Sequence, residues 1–196
     1  MDDRLAFVGD IHGCAAASVA LLGLLPLDRL DQVVFLGDYV NRGPETQAVL
    51  EFLVALAGDP KYVFLEGNHD AAMLEALESG DLGTFLQMGG AATIRSYVDG
   101  VVPPDVAKSF RDNVPANHLE FLRALRGQFI AEDVVATHDI KDAPRGPWYR
   151  VAGHTTIGSV PSISSSRALI DTGAGSPGGL LTALLWPSRE YLQVAA

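Results

Sequence analysis

Short apolar runs alternate with longer helix-forming stretches over the first third of the chain. Arg4 to Val8 is apolar and ends at Gly9-Asp10, the pattern of a buried strand feeding a loop. A helix-forming stretch from Cys14 to Leu25 follows, closed by Pro26. Gln32 to Leu36 is a second buried-strand run, and it too ends in Gly-Asp, at Gly37-Asp38. Pro44 suits the first position of a helix predicted to reach about Ala57. Tyr62 to Leu65 is a third strand, ending at Gly67-Asn68-His69-Asp70, and Ala71 to Glu78 is helical again. Three consecutive βα units predict a parallel sheet with right-handed crossovers.

The middle of the chain reads differently. Asp81 to Tyr97 has helical character interrupted by Gly89-Gly90, and Val101-Val102-Pro103-Pro104 is a breaker. Residues 80–113 are therefore expected to form a partly helical excursion over the sheet, a candidate lid. Ala116 to Leu125 is helical, with Leu119, Leu122 and Leu125 on one face. From Gln128 onward the runs are short and strand-like: Phe129-Ile130, Val134–Thr137, Arg150–Ala152, Ala168–Asp171, Leu180–Leu185 and Tyr191–Val194. The Ser-rich stretch Ser162 to Ser166 reads as a solvated turn. A length of 196 residues suits a single domain over 1–196.

Composition narrows the function. With 48% hydrophobic and 19% charged residues the chain is globular, not disordered. The single Cys14 excludes an internal disulfide framework and a Cys-based zinc site, and it reads as a packed thiol. Fourteen Lys plus Arg against 24 Asp plus Glu give a formal net charge of −10, which excludes a broad basic surface for a nucleic-acid backbone. An anionic substrate would then need positive charge from a bound metal. The longest apolar stretch, Cys14 to Leu27, is broken by Ser18 and Pro26 and falls short of the roughly 20 residues of a membrane span. The opening Met1-Asp2-Asp3-Arg4 has the wrong charge for a secretory signal, so a cytoplasmic location without membrane partners is expected.

The candidate chemistry lies at the strand ends. Three successive strands end in Gly followed by metal-binding side chains: Asp10 and His12, then Asp38, then Asn68 and His69. His138 and His154 follow later strand-like runs, whereas His118, near a helix start, reads as a surface residue. Ligands of open α/β sheets bind at the carboxyl ends of the strands. Carboxylate, imidazole and amide donors without thiolate suit Mn²⁺, Fe or Zn in a catalytic role. Six ligands are too many for one ion that keeps open positions, and a central carboxylate can bridge two ions about 3.5–4 Å apart.

Gly9-Asp10-Ile11-His12-Gly13, Gly37-Asp38-Tyr39-Val40-Asn41-Arg42-Gly43, Gly67-Asn68-His69-Asp70, His138 and Gly153-His154-Thr155 resemble, in order, the motifs of calcineurin-like metallophosphoesterases. More narrowly they resemble the phosphoprotein phosphatases. Gly89 to Tyr97 and His118 to Leu122 are similar to stretches of the bacterial serine/threonine phosphatase branch. The resemblance implies an α/β fold, an α/β/β/α sandwich of two sheets flanked by helices, and a centre of two divalent ions, Mn²⁺ first. Asp10, His12 and Asp38 would hold one ion. Asp38, Asn68, His138 and His154 would hold the second. A water between the ions would attack phosphorus, His69 would protonate the leaving oxygen, and Arg42 would hold the phosphate. The substrate implied is a phosphorylated protein or a small phosphate ester.

The chain also departs from that pattern. Glu66 stands where the family's protein phosphatases usually carry Arg, and Asn41 replaces the Asp that orients the catalytic His. Only fifteen residues separate His138 from His154, a segment in which Arg145 is the candidate for a second phosphate-binding arginine. Fewer arginines would suit a phosphodiester, which carries one charge fewer. Asn41-Arg42-Gly43-Pro44 and the Gly-Asn-His motif without a preceding Arg also resemble the symmetrical diadenosine tetraphosphate hydrolases, the alternative reading. A non-catalytic scaffold is the third.

Overall fold

The structure, a computed structural model, describes residues 4–98, 100 and 103–196. Two five-stranded mixed sheets pack face to face, and helices flank them, as expected. In the first sheet β1 (Leu5–Val8), β2 (Gln32–Phe35) and β3 (Tyr62–Phe64) run parallel. The strands β9 (Leu180–Trp186) and β10 (Tyr191–Ala195) extend it antiparallel from β1, giving the order β10-β9-β1-β2-β3. The second sheet runs β4-β5-β6-β8-β7, built from Gln128–Ile130 (β4), Val134–Thr137 (β5), Tyr149–Ala152 (β6), Arg167–Leu169 (β8) and Ser162–Ile163 (β7). Its central strands β5, β6 and β8 are parallel, so both sheets point carboxyl ends toward a common edge.

The inner strands β1, β2 and β9 of the first sheet are largely apolar without alternation because both faces are buried, whereas the edge strand β10 is partly exposed. Leu5, Phe7, Val34, Leu36 and Val63 meet Val134, Ala136, Val151 and Ala168 of the second sheet. The alternate residues Ala6, Val8, Val33 and Phe35 meet the helical layer, made of α1 (Ala15–Leu24), α2 (Thr46–Leu56) and α3 (Asn68–Ser79). Leu21, Leu50, Leu53 and Met73 are almost fully buried there, each contributing about 2 kcal/mol of apolar transfer.

Several expectations are corrected. The second helix starts at Thr46, not Pro44, because the backbone at Glu45 is still outside the helical region, at φ −111° and ψ 34°, where its N–H reaches Gly13 C=O. The third starts at Asn68, three residues early, because Asp70 takes the N3 position and accepts the Gly67 N–H at 3.0 Å. The stretch 80–113 does not lie over the sheet. It forms α4 (Gly83–Gln87), α5 (Ala91–Tyr97) and α6 (Val106–Asn113), which pack on α2 and α3 with Phe85, Ile94, Tyr97 and Phe110 in the shared core. Gly89, at φ +86°, separates α4 from α5. Val101 and Val102 of the expected breaker lie outside the described residues. A further helix, α7 (Ala116–Arg123), carries His118, which is buried against the Tyr97 hydroxyl at 2.8 Å and is not a surface residue. The serine-rich turn begins instead as β7, paired antiparallel with β8. Among the described residues, no helix is long and apolar enough to cross a membrane.

Candidate metal centre

The loops leaving β1, β2, β3, β5 and β6 converge at one edge of the sandwich and bring Asp10, His12, Asp38, Asn68, His69, His138 and His154 together. Asp38 is central. Its Oδ2 lies 3.7 Å from His12 Nε2, 3.4 Å from His138 Nε2 and 3.9 Å from His69 Nε2. Asp10 Oδ2 lies 3.8 Å from His12 Nε2. Asn68 Oδ1 lies 2.9 Å from both His138 Nε2 and His154 Nδ1. The donor atoms fall into two clusters compact enough to hold a cation, His12-Asp38-His69 and Asp38-His138-His154, with Asp38 in both.

The loops are held by hydrogen bonds that cross between them. His154 N–H donates to both Asp10 oxygens at 3.1 and 3.2 Å, and His69 N–H donates to Asp38 Oδ1 at 3.0 Å. Buried Asp70 accepts from Asp38 N–H at 2.7 Å, Tyr39 N–H at 2.9 Å and Gly67 N–H, and so fastens the start of α3 to the loop after β2. A Cβ on Gly153 would run into Asp10 Oδ1, and one on Gly67 into Asp38 Oδ1. Among the described residues, six that are not glycine have positive φ, and five of them are His12, Asp38, Asn41, Arg42 and His154. Each such conformation costs about 1 kcal/mol, and strain of this kind gathers at functional sites.

Donor and acceptor roles separate the histidines. His12 Nδ1 lies 2.9 Å from Val40 C=O and His138 Nδ1 2.9 Å from Leu36 C=O. A carbonyl only accepts, so both Nδ1 atoms carry hydrogen and donate, the arrangement that frees Nε2 to bind a metal. His12 Nε2 is buried with no hydrogen-bond partner. An orphaned imidazole nitrogen beside two carboxylates fits a cation. Burial, acting first, takes His12 down to about 4, which keeps that lone pair free at neutral pH.

The carboxylates diverge. Burial opposes ionisation of Asp38, but the hydrogen bond and charge of His138, then His12 and His69, hold it below the usual carboxylate range. Asp10 is pushed well up, by burial and then by the charge of Asp38. His138 rises to about 9: burial works against its protonation, and the hydrogen bond and charge of Asp38 outweigh it. Burial likewise lifts Asp70 to about 7 and lowers His69. The charge of Asp38 thus suppresses ionisation of Asp10, a competition that a bound cation would relieve.

The arginines separate in space. Arg42 follows Asn41 in the loop after β2, exposed, and among the described residues its guanidinium makes no hydrogen bond or ion pair; its charge is felt at His12 and His69. Arg145 is not brought to the cluster. It lines another cleft with Pro144, Trp148 and Arg150. The cleft beside Asn68, His138 and His154 is lined by Glu66, Asp139 and Asp142, with neither Arg nor Lys among its described walls. The residues that sequence reasoning missed are supports: Asp70, legible only as an acidic N3 residue after Gly67, and Thr93 and Met88, which contact Asn41 from the excursion.

Comparison with known proteins fits this geometry. Serine/threonine-protein phosphatase 2 of Escherichia coli K12 is 37% identical over 86 residues, covering 42% of this chain and 37% of that protein. A symmetrical bis(5'-nucleosyl)-tetraphosphatase of Legionella pneumophila strain Lens is 42% identical over 74 residues, 37% of this chain and 26% of that protein. The matched stretches thus span under two fifths of either relative. A crystal structure provisionally assigned as a diadenosine tetraphosphatase superposes with a TM-score of 0.71 over 99% of this chain and 94% of that one, at 20% identity, a likeness of fold. Residues 3 to 184 match the calcineurin-like phosphoesterase profile from the first strand through most of β9, and with that match the chain belongs to the calcineurin-like phosphoesterase family.

Proposed function

We propose that the chain hydrolyses phosphoric esters with two divalent ions, one held by Asp10, His12 and Asp38 and the other by Asp38, Asn68, His138 and His154. The observation that carries this is Asp38 standing between the unpartnered Nε2 of His12, which Asp10 also approaches, and the cluster of Asp38, His138 and His154 with Asn68 against both histidines. When bound, such ions supply a nucleophilic water at neutral pH and neutralise phosphate charge. Manganese suits the mixed oxygen and imidazole donors. Arg42 offers the one free guanidinium among the described residues at this edge, and binds phosphate oxygen. His69 presents Nε2 to the reacting centre from the first turn of α3.

Two substrate readings share this site. A phosphorylated protein side chain follows the Escherichia coli relative, and a dinucleoside polyphosphate follows the Legionella one. With neither Arg nor Lys on the described walls of the cleft, an internal phosphate, with one charge at the phosphorus attacked, suits the site better than a terminal phosphomonoester with two. The test strips metal with a chelator, restores Mn²⁺, and compares para-nitrophenyl phosphate, its bis ester and diadenosine tetraphosphate. Turnover that returns only with metal is expected, with the bis ester or dinucleotide at least matching the monoester. Turnover confined to the monoester removes the internal-phosphate reading. A metal-loaded protein inert to all three, whose His69→Ala variant keeps a binding partner, is a scaffold.

A further inference from the structure

The Asn41 side chain is fully buried and its orientation is fixed by its neighbours. Its Nδ2 lies 3.3 Å from Met88 C=O and 2.8 Å from His69 Nδ1, and its Oδ1 accepts from the Thr93 hydroxyl at 2.9 Å. Met88 C=O can only accept, so the amide nitrogen must face it, and the same nitrogen faces His69. Thr93 is itself held, since its oxygen accepts the Asn41 N–H at 2.9 Å and lies 3.0 Å from the Thr46 hydroxyl. His69 Nδ1 must therefore accept, and the ring's hydrogen sits on Nε2, on the side of Asp38.

This arrangement differs from that of an aspartate, whose oxygen would accept from an Nδ1–H and leave Nε2 free to give a proton away. A ring with its one hydrogen on Nε2 can donate a hydrogen bond to a phosphoryl or leaving oxygen. Passing that proton on would leave an imidazolate facing an amide N–H₂. Turning the amide over to accommodate an Nδ1–H would set Oδ1 against Met88 C=O and lose the Thr93 bond.

We propose that Asn41 is a positioning residue that fixes His69 as a neutral Nε2–H donor, and that the site consequently cleaves phosphoanhydrides in preference to the alkyl phosphates of serine and threonine. The inference rests on the phosphoesterase reading above. In the step, a bond forms from the water oxygen to phosphorus and the bond to the leaving oxygen breaks. The electron pair stays on that oxygen, and the proton of the attacking water passes to solvent. A phosphate leaving group is stable as an anion. A serine alkoxide is not.

Two measurements test this. In metal-free, ¹⁵N-histidine-labelled protein, long-range ¹H–¹⁵N correlations should show His69 with hydrogen on Nε2 and an unprotonated Nδ1. Asn41→Asp should place hydrogen on Nδ1. Thr93→Val, which removes the donor to Oδ1, should relax the preference. In the Mn²⁺-loaded protein, kcat/KM over substituted phenyl phosphates should fall steeply as the leaving phenol becomes more basic, and diadenosine tetraphosphate should far exceed a phosphoserine peptide. Asn41→Asp should flatten that slope and raise phosphoserine turnover relative to the anhydride by about 10²-fold, the low end of what a proton donor supplies. A wild-type Nδ1–H, or a flat wild-type slope, overturns the proposal. Inertness of every phosphate with the Nε2–H spectrum intact overturns the phosphoesterase reading and the substrate preference with it, and leaves the positioning by Asn41 standing.

Discussion

His12, His69 and His138 are the same residue type within a few ångströms of one carboxylate, and they differ in what their Nδ1 atoms meet. Val40 C=O and Leu36 C=O take a hydrogen from His12 and His138, while Asn41 gives one to His69. His12 thereby turns a lone pair toward Asp38, His138 turns there an Nε2 whose hydrogen a metal can replace, and His69 turns a hydrogen. These partners are main-chain carbonyls and an amide from other loops, so no spacing in the sequence could reveal them. The same neighbourhood sets a pH dependence. His138, raised from 6.5 to about 9 in the fold despite the opposing effect of burial, contributes stability that is fully present below pH 6.5 and lost as the pH rises through about 9. Asp70 acts in the same direction: with its carboxyl lifted to about 7, mainly by burial, the folded chain binds more protons than the unfolded between pH 4 and 7. Asp38 contributes in the opposite direction only below its ordinary value of 3.8, whereas His12, lowered by burial to about 4, and His69, lowered likewise, oppose Asp70 up to about pH 6.5. The Tm of chelator-treated protein should therefore fall from pH 7 to pH 9, where His138 acts unopposed, and Mn²⁺ should reduce that fall by taking the proton's place at His138. A Tm that climbs between pH 7 and pH 9 in the metal-free protein would contradict the assignment of charge in the cluster.

The elements matter chiefly for how they end. Asp70 sits in the first turn of α3 yet its carboxylate accepts N–H groups of Asp38 and Tyr39 in the loop after β2, as well as that of Gly67. Asp70→Ala would leave buried amides without partners, at about 1–3 kcal/mol each before relaxation. A loss of about 3 kcal/mol is expected, read as a Tm lower by roughly 10 °C, together with weaker Mn²⁺ binding because Asp38 is no longer positioned. Unchanged Tm and metal affinity would remove Asp70 from this role. Most strands and the helix-forming stretches were legible in the sequence, because Leu5 to Val8 or Gln32 to Phe35 need both faces buried and so read as apolar runs. What was not legible is how chain ends bend. Pro44 looked like a helix start, but the chain reaches helical geometry only after Glu45, whose N–H ties the loop to Gly13. Ser162-Ile163 looked like a turn because a two-residue edge strand has no periodicity to display.

At the scale of the molecule, the site belongs to both sheets. The first supplies Asp10, His12, Asp38, Asn68 and His69, and the second supplies His138 and His154 from the ends of β5 and β6. The seven residues were readable from order and type alone, since each follows a strand. The geometry that makes Asp38 common to two clusters was not, because it depends on packing Val34 and Leu36 against Val134 and Ala136. Arg145 shows the limit of that reading: it is close to the site in sequence and lines a different cleft. A chain of formal charge −10 with this many acidic groups at one edge is built to receive cations before anions. The most direct measurement is the metal content of purified protein after chelator treatment and reloading with Mn²⁺, wild type beside Asp38→Asn. The account predicts about two ions per chain in the wild type and fewer than one in the variant, because a shared ligand serves both sites. Two ions retained by Asp38→Asn, or none in the wild type, would contradict it.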